Sequence, residues 1–519
     1  MLIGDILRTQ AEQHPERIAL VFGERTWTYV QLNAEVNSLA NGLLATGIAR
    51  GDRVAVLGRN SDRYVVIYFA LAKLGAIMVP INAWFKTDEI RYVVEQSQSS
   101  VLLFESAFAD RVTPLGLRKC VYFDENEAAH LAGHWLLTRL PPPTEPPVAV
   151  DERDPHIILY TSGTTGFPKG ATLTHRAHVR HAQALAAATA QREGDRAPII
   201  YPLFHTGGPD CVLLPHFLHG GTCVVLDGGD PIKLLDAVAR HQLTSIFCVP
   251  TVWRRILRAL NDYPSSLLPH LSSVHRCLGS SDTFPPALLN ELLDAFPHAD
   301  FYQTYGLTEA GCLLTVCKLT RDDRTRLDSV GRALPGVEVR IVDEHDRELP
   351  FGEVGEVVAR GETMMTGYWN DEARTAEALR DGWLNTGDLA HLSADGYLTI
   401  AGRAKDVIIS GGENIYSAEV ERVLKQHSAV RDCAVVGVPD AEWGESVLAV
   451  VVRAEGARLT ADEVIQFVRA RLAGFKRPRY VEFIDQLPAT TATGKLQRAE
   501  LRRRFAAQYA SDASLTTGA

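Results

Sequence analysis

Up to about residue 400, short apolar β-branched runs alternate with helical patterns, and this alternation limits the fold more than any other feature of the chain. The runs DRVAVLG (52–58), SSVLLFE (99–105), KCVYFD (119–124), HIILY (156–160), GTCVVLD (221–227) and TSIFCVP (244–250) read as strands. Between them, TYVQLNAEVNSLANGLLATG and DPIKLLDAVARHQ carry helical periodicity. Such alternation predicts α/β layers with largely parallel sheets. From 336 to 360 the pattern becomes strand, turn, strand, which predicts a local β subdomain. Beyond about residue 403, strand-like CAVVGVPD and VLAVVVRA alternate with helical TADEVIQFVRARLAG, a small α+β domain. The polar tail QYASDASLTTGA is expected to fray.

With 519 residues, 46% of them hydrophobic, the chain can fill more than one core. Its 53 basic and 63 acidic residues leave a net charge of −10, mixed along the chain, which argues against nucleic acid or an acidic membrane as the main partner. The start, MLIGDILRTQAEQHPERIAL, reads as an amphipathic helix and not a signal peptide. The apolar stretch YVVIYFALAKLGAIMVPI is interrupted by Lys73 and ends at proline, so a buried helix and a strand are expected rather than a membrane span. Eight scattered cysteines form no CxxC pair, which suits the reducing cytoplasm.

The stretch YTSGTTGFPKGATLTH (160–175) invites comparison with a Walker A loop and fails it. Pro168 stands five residues after Gly163, and Gly170 rather than Ser or Thr follows Lys169. Instead, HIILY enters as a strand and GATLTH leaves as one, before a helix that Thr174 can cap. Glycines free the backbone N–H groups of the loop to turn inward. The hydroxyls of Thr161, Ser162, Thr164 and Thr165 add donors, making a nest for a polyphosphate. A plain Gly/Ser/Thr hairpin is the alternative this loop by itself leaves open.

The loop resembles the phosphate-binding loop of adenylate-forming enzymes, the superfamily of acyl-CoA synthetases, aryl-CoA ligases, luciferases and peptide-synthetase adenylation domains. YQTYGLTEAG (302–311), GYWND (367–371), DGWLNTGDLA (381–390), GYLTIAGRAKDVIISGGENIYSAEVE (396–421) and LPATTATGKLQR (487–498) match that superfamily's motifs in order and spacing. The resemblance implies a large N-terminal AMP- and acyl-binding domain over 1–403, built of αβα-layered sheets with a β subdomain. It implies a small mobile C-terminal α+β domain over 404–519 that carries a catalytic lysine. The implied reaction is ATP-dependent activation of a carboxylic acid to an acyl-adenylate with release of pyrophosphate, then transfer to coenzyme A.

Two negative groups meet in such a reaction, so catalysis rests on positioning and on cations. By resemblance, Thr161, Ser162, Gly163, Thr164, Thr165 and Lys169 cradle the phosphates. Gly279, Ser280, Ser281, Gln303, Thr304 and Tyr305 meet AMP, with Tyr305 as an aromatic face for adenine; Asp388 and Arg403 lie on the ribose side. Glu309 holds Mg²⁺, a hard ion suited to carboxylate and phosphate oxygens, with Thr165 as a second metal contact. Thr308 touches the α-phosphate, and Lys495 bridges the carboxylate and the α-phosphate as a compact mobile cation. Lys405 takes the hinge position about which the small domain turns between the two half-reactions.

Coenzyme A is the expected thiol acceptor. In GFKRPRY (474–480), Phe475 can stack an adenine while Lys476 and Arg477 pair with phosphates. Trp443, Gly411 and Gly412 match positions that flank a pantetheine tunnel. YPLFHTGGPD (201–210) matches the motif bordering the acyl pocket. His205 replaces the aspartate of amino-acid-activating relatives, which favours an aryl, cinnamoyl or fatty acid over an α-amino acid.

Ser280, Ser281 and Asp282, together with Asp210, leave two readings open: a polar substrate, or serines on adenine and aspartates capping turns. His175, His178 and His181 share one helix face, expected to be solvated rather than a metal site. Rival functions are a ligase that loads a carrier-protein phosphopantetheine and a non-catalytic adenylate-binding protein. A homodimer is left open.

Overall fold

The computed structural model describes residues 1–117, 120–124, 141–161, 168–263, 268–281, 284–410, 413–440, 443–489 and 496–515. It is mixed α/β, with a large N-terminal domain and a smaller C-terminal one. The amphipathic start forms the helix Ile3–Gln13, and the apolar stretch around Lys73 divides into the helix Asp62–Leu74 and the strand Ile77–Ile81.

A seven-stranded sheet runs in the order Gly367–Tyr368, Lys169–Thr174, Pro155–Thr161, Ile77–Ile81, Arg53–Leu57, Val101–Phe104, Cys120–Tyr122. From Pro155–Thr161 to Cys120–Tyr122 neighbouring strands are parallel. Both faces are covered. Val54 and Val56 point into the main core, while Ala55 and Leu57 pack into a second core with Ile90, Val94 and Phe108. This is why the strands read as continuous apolar runs and not as alternating ones.

Two further sheets complete the large domain's α/β part. The strands Arg196–Ile199, Thr222–Val225 and Ile18–Phe22 run parallel in one; Ser245–Cys248, Arg276–Gly279 and Asp300–Tyr305 run parallel in the other. The expected β subdomain is an antiparallel sheet containing Val337–Val342, Gly355–Gly361, Trp383–Leu392 and Leu398–Arg403.

The small domain is built on a separate sheet whose longest strands are Val430–Asp440 and Gly444–Arg453. Val435 and Val451 pack with Val420 and Val464 of the helices Ser417–Leu424 and Ala461–Arg469. On the opposite face, Val436 and Val450 pack against Leu501 and Phe505 of the C-terminal helix Arg498–Leu515.

Candidate active site

Ser162, Gly163, Thr164 and Thr165 of the expected phosphate loop lie outside the described residues. Its flanks are as expected: Pro155–Thr161 and Lys169–Thr174 pair antiparallel, with Thr161 opposite Lys169. Thr174 caps the helix His175–Ala188 by accepting from the Ala177 N–H. A two-strand hairpin, not a strand-to-helix P-loop, presents the loop. The Tyr92 hydroxyl donates to the Pro168 carbonyl at 3.0 Å. Gln96 bonds Tyr160 and donates to the Trp369 carbonyl, and the Trp369 N–H donates to the Gly170 carbonyl at 2.7 Å.

Beside this hairpin, the strand Asp300–Tyr305 lies parallel to Arg276–Gly279, with Gln303 opposite Gly279. Gly279, Ser280, Ser281, Gln303, Thr304 and Tyr305 therefore gather at the C-terminal ends of two adjacent strands. A Cβ on Gly279 would come within 2.3 Å of the Phe284 ring, so only glycine fits. Thr304 donates to the Gly279 carbonyl at 3.0 Å, and among the described residues the buried Oε1 of Gln303 has no hydrogen-bond partner. Ser281 adopts φ of +76°, a left-handed conformation uncommon for serine.

Tyr305, Asp388 and Arg403 meet. The Tyr305 hydroxyl donates to Asp388 Oδ2 at 2.9 Å, and Arg403 Nε sits 3.0 Å from Oδ1. Asp388 and Arg403 face one another across paired strands. Burial first, and Asp388 second, push the Tyr305 hydroxyl well above the usual phenol range, so it remains a donor. Both carboxylate oxygens are thus oriented, and each keeps a lone pair for a further donor.

Glu309 and Thr308 lie in the short turn Thr308–Ala310, closed by Gly311 at φ +79°. Thr161 Oγ1 donates to Glu309 Oε1 at 3.3 Å, and the Tyr368 hydroxyl donates to the same oxygen at 2.9 Å. Lys169 Nζ lies 5.0 Å from the centre of the Tyr368 ring. Glu309 is a hard oxygen donor of the kind Mg²⁺ takes. Among the described residues no cluster of three or more His, Cys, Asp or Glu could hold a metal. One carboxylate completed by phosphate oxygens and water is a normal Mg²⁺ arrangement, so the residues present fit that ion.

His205 follows the strand Arg196–Ile199, and its Nδ1 accepts the Gly207 N–H at 3.2 Å. Just beyond, Asp210 is buried and bonded to His178 Nδ1, so its carboxylate has a buried side-chain partner. The expected solvated histidine face is overturned: His175, His178 and His181 are all fully buried. The helix turns them inward onto the fully buried His156 of the central sheet, onto Asp210 and onto Leu313, whose N–H donates to His181 Nε2 at 3.1 Å. Three-residue spacing sets a common face; it does not say which way that face points. Desolvation lowers His175 and His181 to about 4 and His156 well below its ordinary value, which keeps these rings neutral.

A cavity of about 600 Å³ opens where parallel strands from all three α/β sheets end. Its wall includes Arg59, Trp84, Phe108, Arg111, Phe204 and Arg255. These residues follow the C-terminal ends of Arg53–Leu57, Ile77–Ile81, Val101–Phe104, Arg196–Ile199 and Ser245–Cys248, the position where open α/β sheets bind ligands. Arg111 is held by the Ala83 and Phe85 carbonyls, both at 2.9 Å, and lies 4.6 Å from the Phe108 ring centre. Trp84 and Phe204 pack edge to face at 5.4 Å. Phe204 belongs to the YPLFHTGGPD stretch matched to the acyl-pocket motif; the other five carry no sequence signal, because they are scattered along the chain and only strand order unites them.

In the small domain, Trp443 and Phe475 are each 45% exposed, unusual for large apolar side chains and suited to a ligand. Lys476 is bound to Glu419 at 2.8 Å rather than standing apart as a phosphate-pairing cation; Arg477 is exposed. Gly411, Gly412 and Lys495 lie outside the described residues. Lys405 is exposed next to Arg403, and its ammonium is lowered by desolvation first and Arg403 second.

Residues 7–369 match the AMP-binding enzyme family, and residues 419–495 match the AMP-binding enzyme C-terminal domain. The chain is 38% identical over 500 residues to feruloyl-CoA synthase of an Amycolatopsis species, covering 96% of this chain and 97% of that protein. It is 34% identical over 513 residues to indoleacetate–CoA ligase of Aromatoleum aromaticum, covering 98% of each. Among solved structures, the anthranilate CoA ligase AuaEII in complex with anthranoyl-AMP superposes with a TM-score of 0.87 at 29% identity, over 98% of both chains.

Proposed function

Because the chain belongs to the AMP-binding enzyme family, we propose an aromatic carboxylic acid as its substrate and assign roles to its site residues on that premise. The enzyme is an AMP-forming acid–thiol ligase that uses ATP. A carboxylate oxygen attacks the α-phosphorus, the bond to pyrophosphate breaks, and an acyl-adenylate forms. The thiol sulfur of coenzyme A then attacks the acyl carbon, and AMP leaves as the thioester forms.

The observation that carries the role assignments is the meeting of Tyr305, Asp388 and Arg403, together with the hairpin that brings Thr161 to Glu309 and Lys169 to the ring of Tyr368. In this reading Asp388, oriented by Tyr305 and Arg403, accepts the ribose hydroxyls. Gly279 to Ser281 and Gln303 to Tyr305 line the AMP site. Lys169 and the loop hydroxyls at 161–165 hold the phosphates, and Thr308 contacts the α-phosphate. Bound Mg²⁺, held by Glu309 with Thr165, neutralises phosphate charge. Lys495 brings its ammonium between the carboxylate and the α-phosphate. His205 walls the acid pocket.

The domains divide after Arg403. Arg403 is tied to Asp388 of the large domain, whereas the Lys405 carbonyl and Asp406 are held by Arg502 of the C-terminal helix, at 3.1 and 3.0 Å. The few bonds between these anchors are where a hinge at Lys405 can turn. Coenzyme A enters through the arginine-rimmed cavity, where, among the described residues, Arg59, Arg111 and Arg255 outnumber the one lining carboxylate, Asp227. Guanidinium groups suit its phosphates and the aromatic wall suits its apolar arm. Trp443, Phe475, Lys476, Arg477 and the Gly411–Gly412 turn supply the small domain's share. The eight free cysteines fit a reducing cytoplasm; among the described residues no helix is long and apolar enough to cross a membrane.

The aromatic assignment rests on the acids named for the relatives: ferulate, indoleacetate and anthranilate. Acid-dependent ATP–pyrophosphate exchange, followed by thioester formation with coenzyme A, tests it with a panel of benzoic, cinnamic, arylacetic, medium-chain and long-chain acids. Turnover confined to the aliphatic acids would remove the aromatic assignment. ATP cleaved only between β and γ phosphates would remove the reaction itself.

A further inference from the structure

The segment 365–371, whose GYWND portion (367–371) matched a family motif but was given no role, grips both halves of the phosphate site. The Met365 N–H donates to the Glu309 carbonyl at 2.8 Å, which ties Glu309's backbone to it. Gly367 and Tyr368 pair with Thr172 and Ala171 on the strand that leaves the phosphate hairpin. Tyr368 itself is locked, for its N–H donates to Thr375 Oγ1 at 2.8 Å and its carbonyl accepts the Asp371 N–H. Its half-buried side chain then reaches two charged groups: the hydroxyl donates to Glu309 Oε1 and the ring lies under the Lys169 ammonium. Thr161, on the entering strand, donates to the same Oε1, and among the described residues nothing bonds Oε2.

We propose that Tyr368 is a positioning residue for nucleotide binding: with Thr161 it holds Oε1 of Glu309 so that Oε2 is kept for the cation, while its ring seats Lys169. Partners of a metal-binding carboxylate set its orientation and strengthen it as a ligand. The inference rests on Glu309 being the metal ligand, as proposed above.

Isothermal titration with Mg·ATP, and with ATP in excess EDTA, separates the cation's share of binding from the rest. Tyr368→Phe keeps the ring over Lys169 and removes only the donor. Mg·ATP should bind about tenfold more weakly, the usual size for losing such a partner, with metal-free ATP unchanged. The Mg²⁺ concentration for half-maximal pyrophosphate exchange should rise in parallel, and KM for the acid should stay. Tyr368→Leu should weaken metal-free ATP as well. If Tyr368→Phe binds both forms as the parent does, or loses both equally, the proposal is wrong. Should that variant fail to fold, Thr161→Val carries the same test through the second hydroxyl. Glu309→Gln separates the premise: if it keeps the Mg²⁺-dependent gain, the metal assignment fails; if it loses that gain and Tyr368→Phe does not, only the tyrosine's role fails.

Discussion

Replacing Asp388 by Asn tests the nucleotide half of the site most directly. The carboxylate is 6% exposed and accepts from Tyr305 and Arg403 at 2.9 and 3.0 Å. Asn keeps the shape and removes the charge, so any hydrogen bond from a ribose hydroxyl becomes one to a neutral amide, or faces an NH₂ group. A hydrogen bond to a charged group contributes about 1.5–3 kcal/mol, or roughly 10- to 150-fold in affinity. KM for ATP in pyrophosphate exchange should therefore rise by about one to two orders of magnitude, with KM for the acid unmoved. The Arg403 side chain is 40% exposed and can be hydrated when its partner is gone, so the melting temperature should change little. Tyr305→Phe removes one donor and leaves the charge; it should cost less than Asp388→Asn. The double variant should fall short of the sum, because the two residues touch. A rise in KM for the acid alone, or a melting shift that accounts for the lost activity, would refute the ribose assignment.

Three further outcomes are expected. Lys495→Ala should abolish pyrophosphate exchange yet leave thioester formation from supplied acyl-adenylate near its original rate; equal losses in both would remove the assigned role. Arg255→Glu, at the cavity wall, should raise KM for coenzyme A about tenfold or more and spare pyrophosphate exchange, as expected for a lost phosphate pairing. His156, His175, His181 and His216 are buried and lowered, the last to about 3, so the unfolded chain takes up protons that the folded one refuses as pH falls below about 6.5. Their share of stability is complete above that pH and declines at about 1.4 kcal/mol per pH unit for each ring until its folded value is reached. Melting curves from pH 7.5 to 4.5 should fall steeply, and His175→Gln should flatten the fall; a flat parent profile would count against neutral burial.

The sequence by itself determined the elements and the type of loop. Periods and caps are local, which is why Thr174 could be recognised as a cap and 160–175 as a hairpin instead of a Walker A loop. The pairing of Asp388 with Arg403 was legible only through motif resemblance, and its bond with Tyr305, 83 positions away, was not legible at all. Tertiary structure alone decided which faces meet. His175, His178 and His181 shared a face on either reading, but the contacts with His156 and Asp210 make that face interior. Strand order likewise gathered Arg59, Arg111 and Arg255 into one cavity, and a two-residue strand set Tyr368 between Glu309 and Lys169. Side-chain chemistry is written along the chain, whereas proximity between distant segments comes from sheet register and packing, which no short stretch contains.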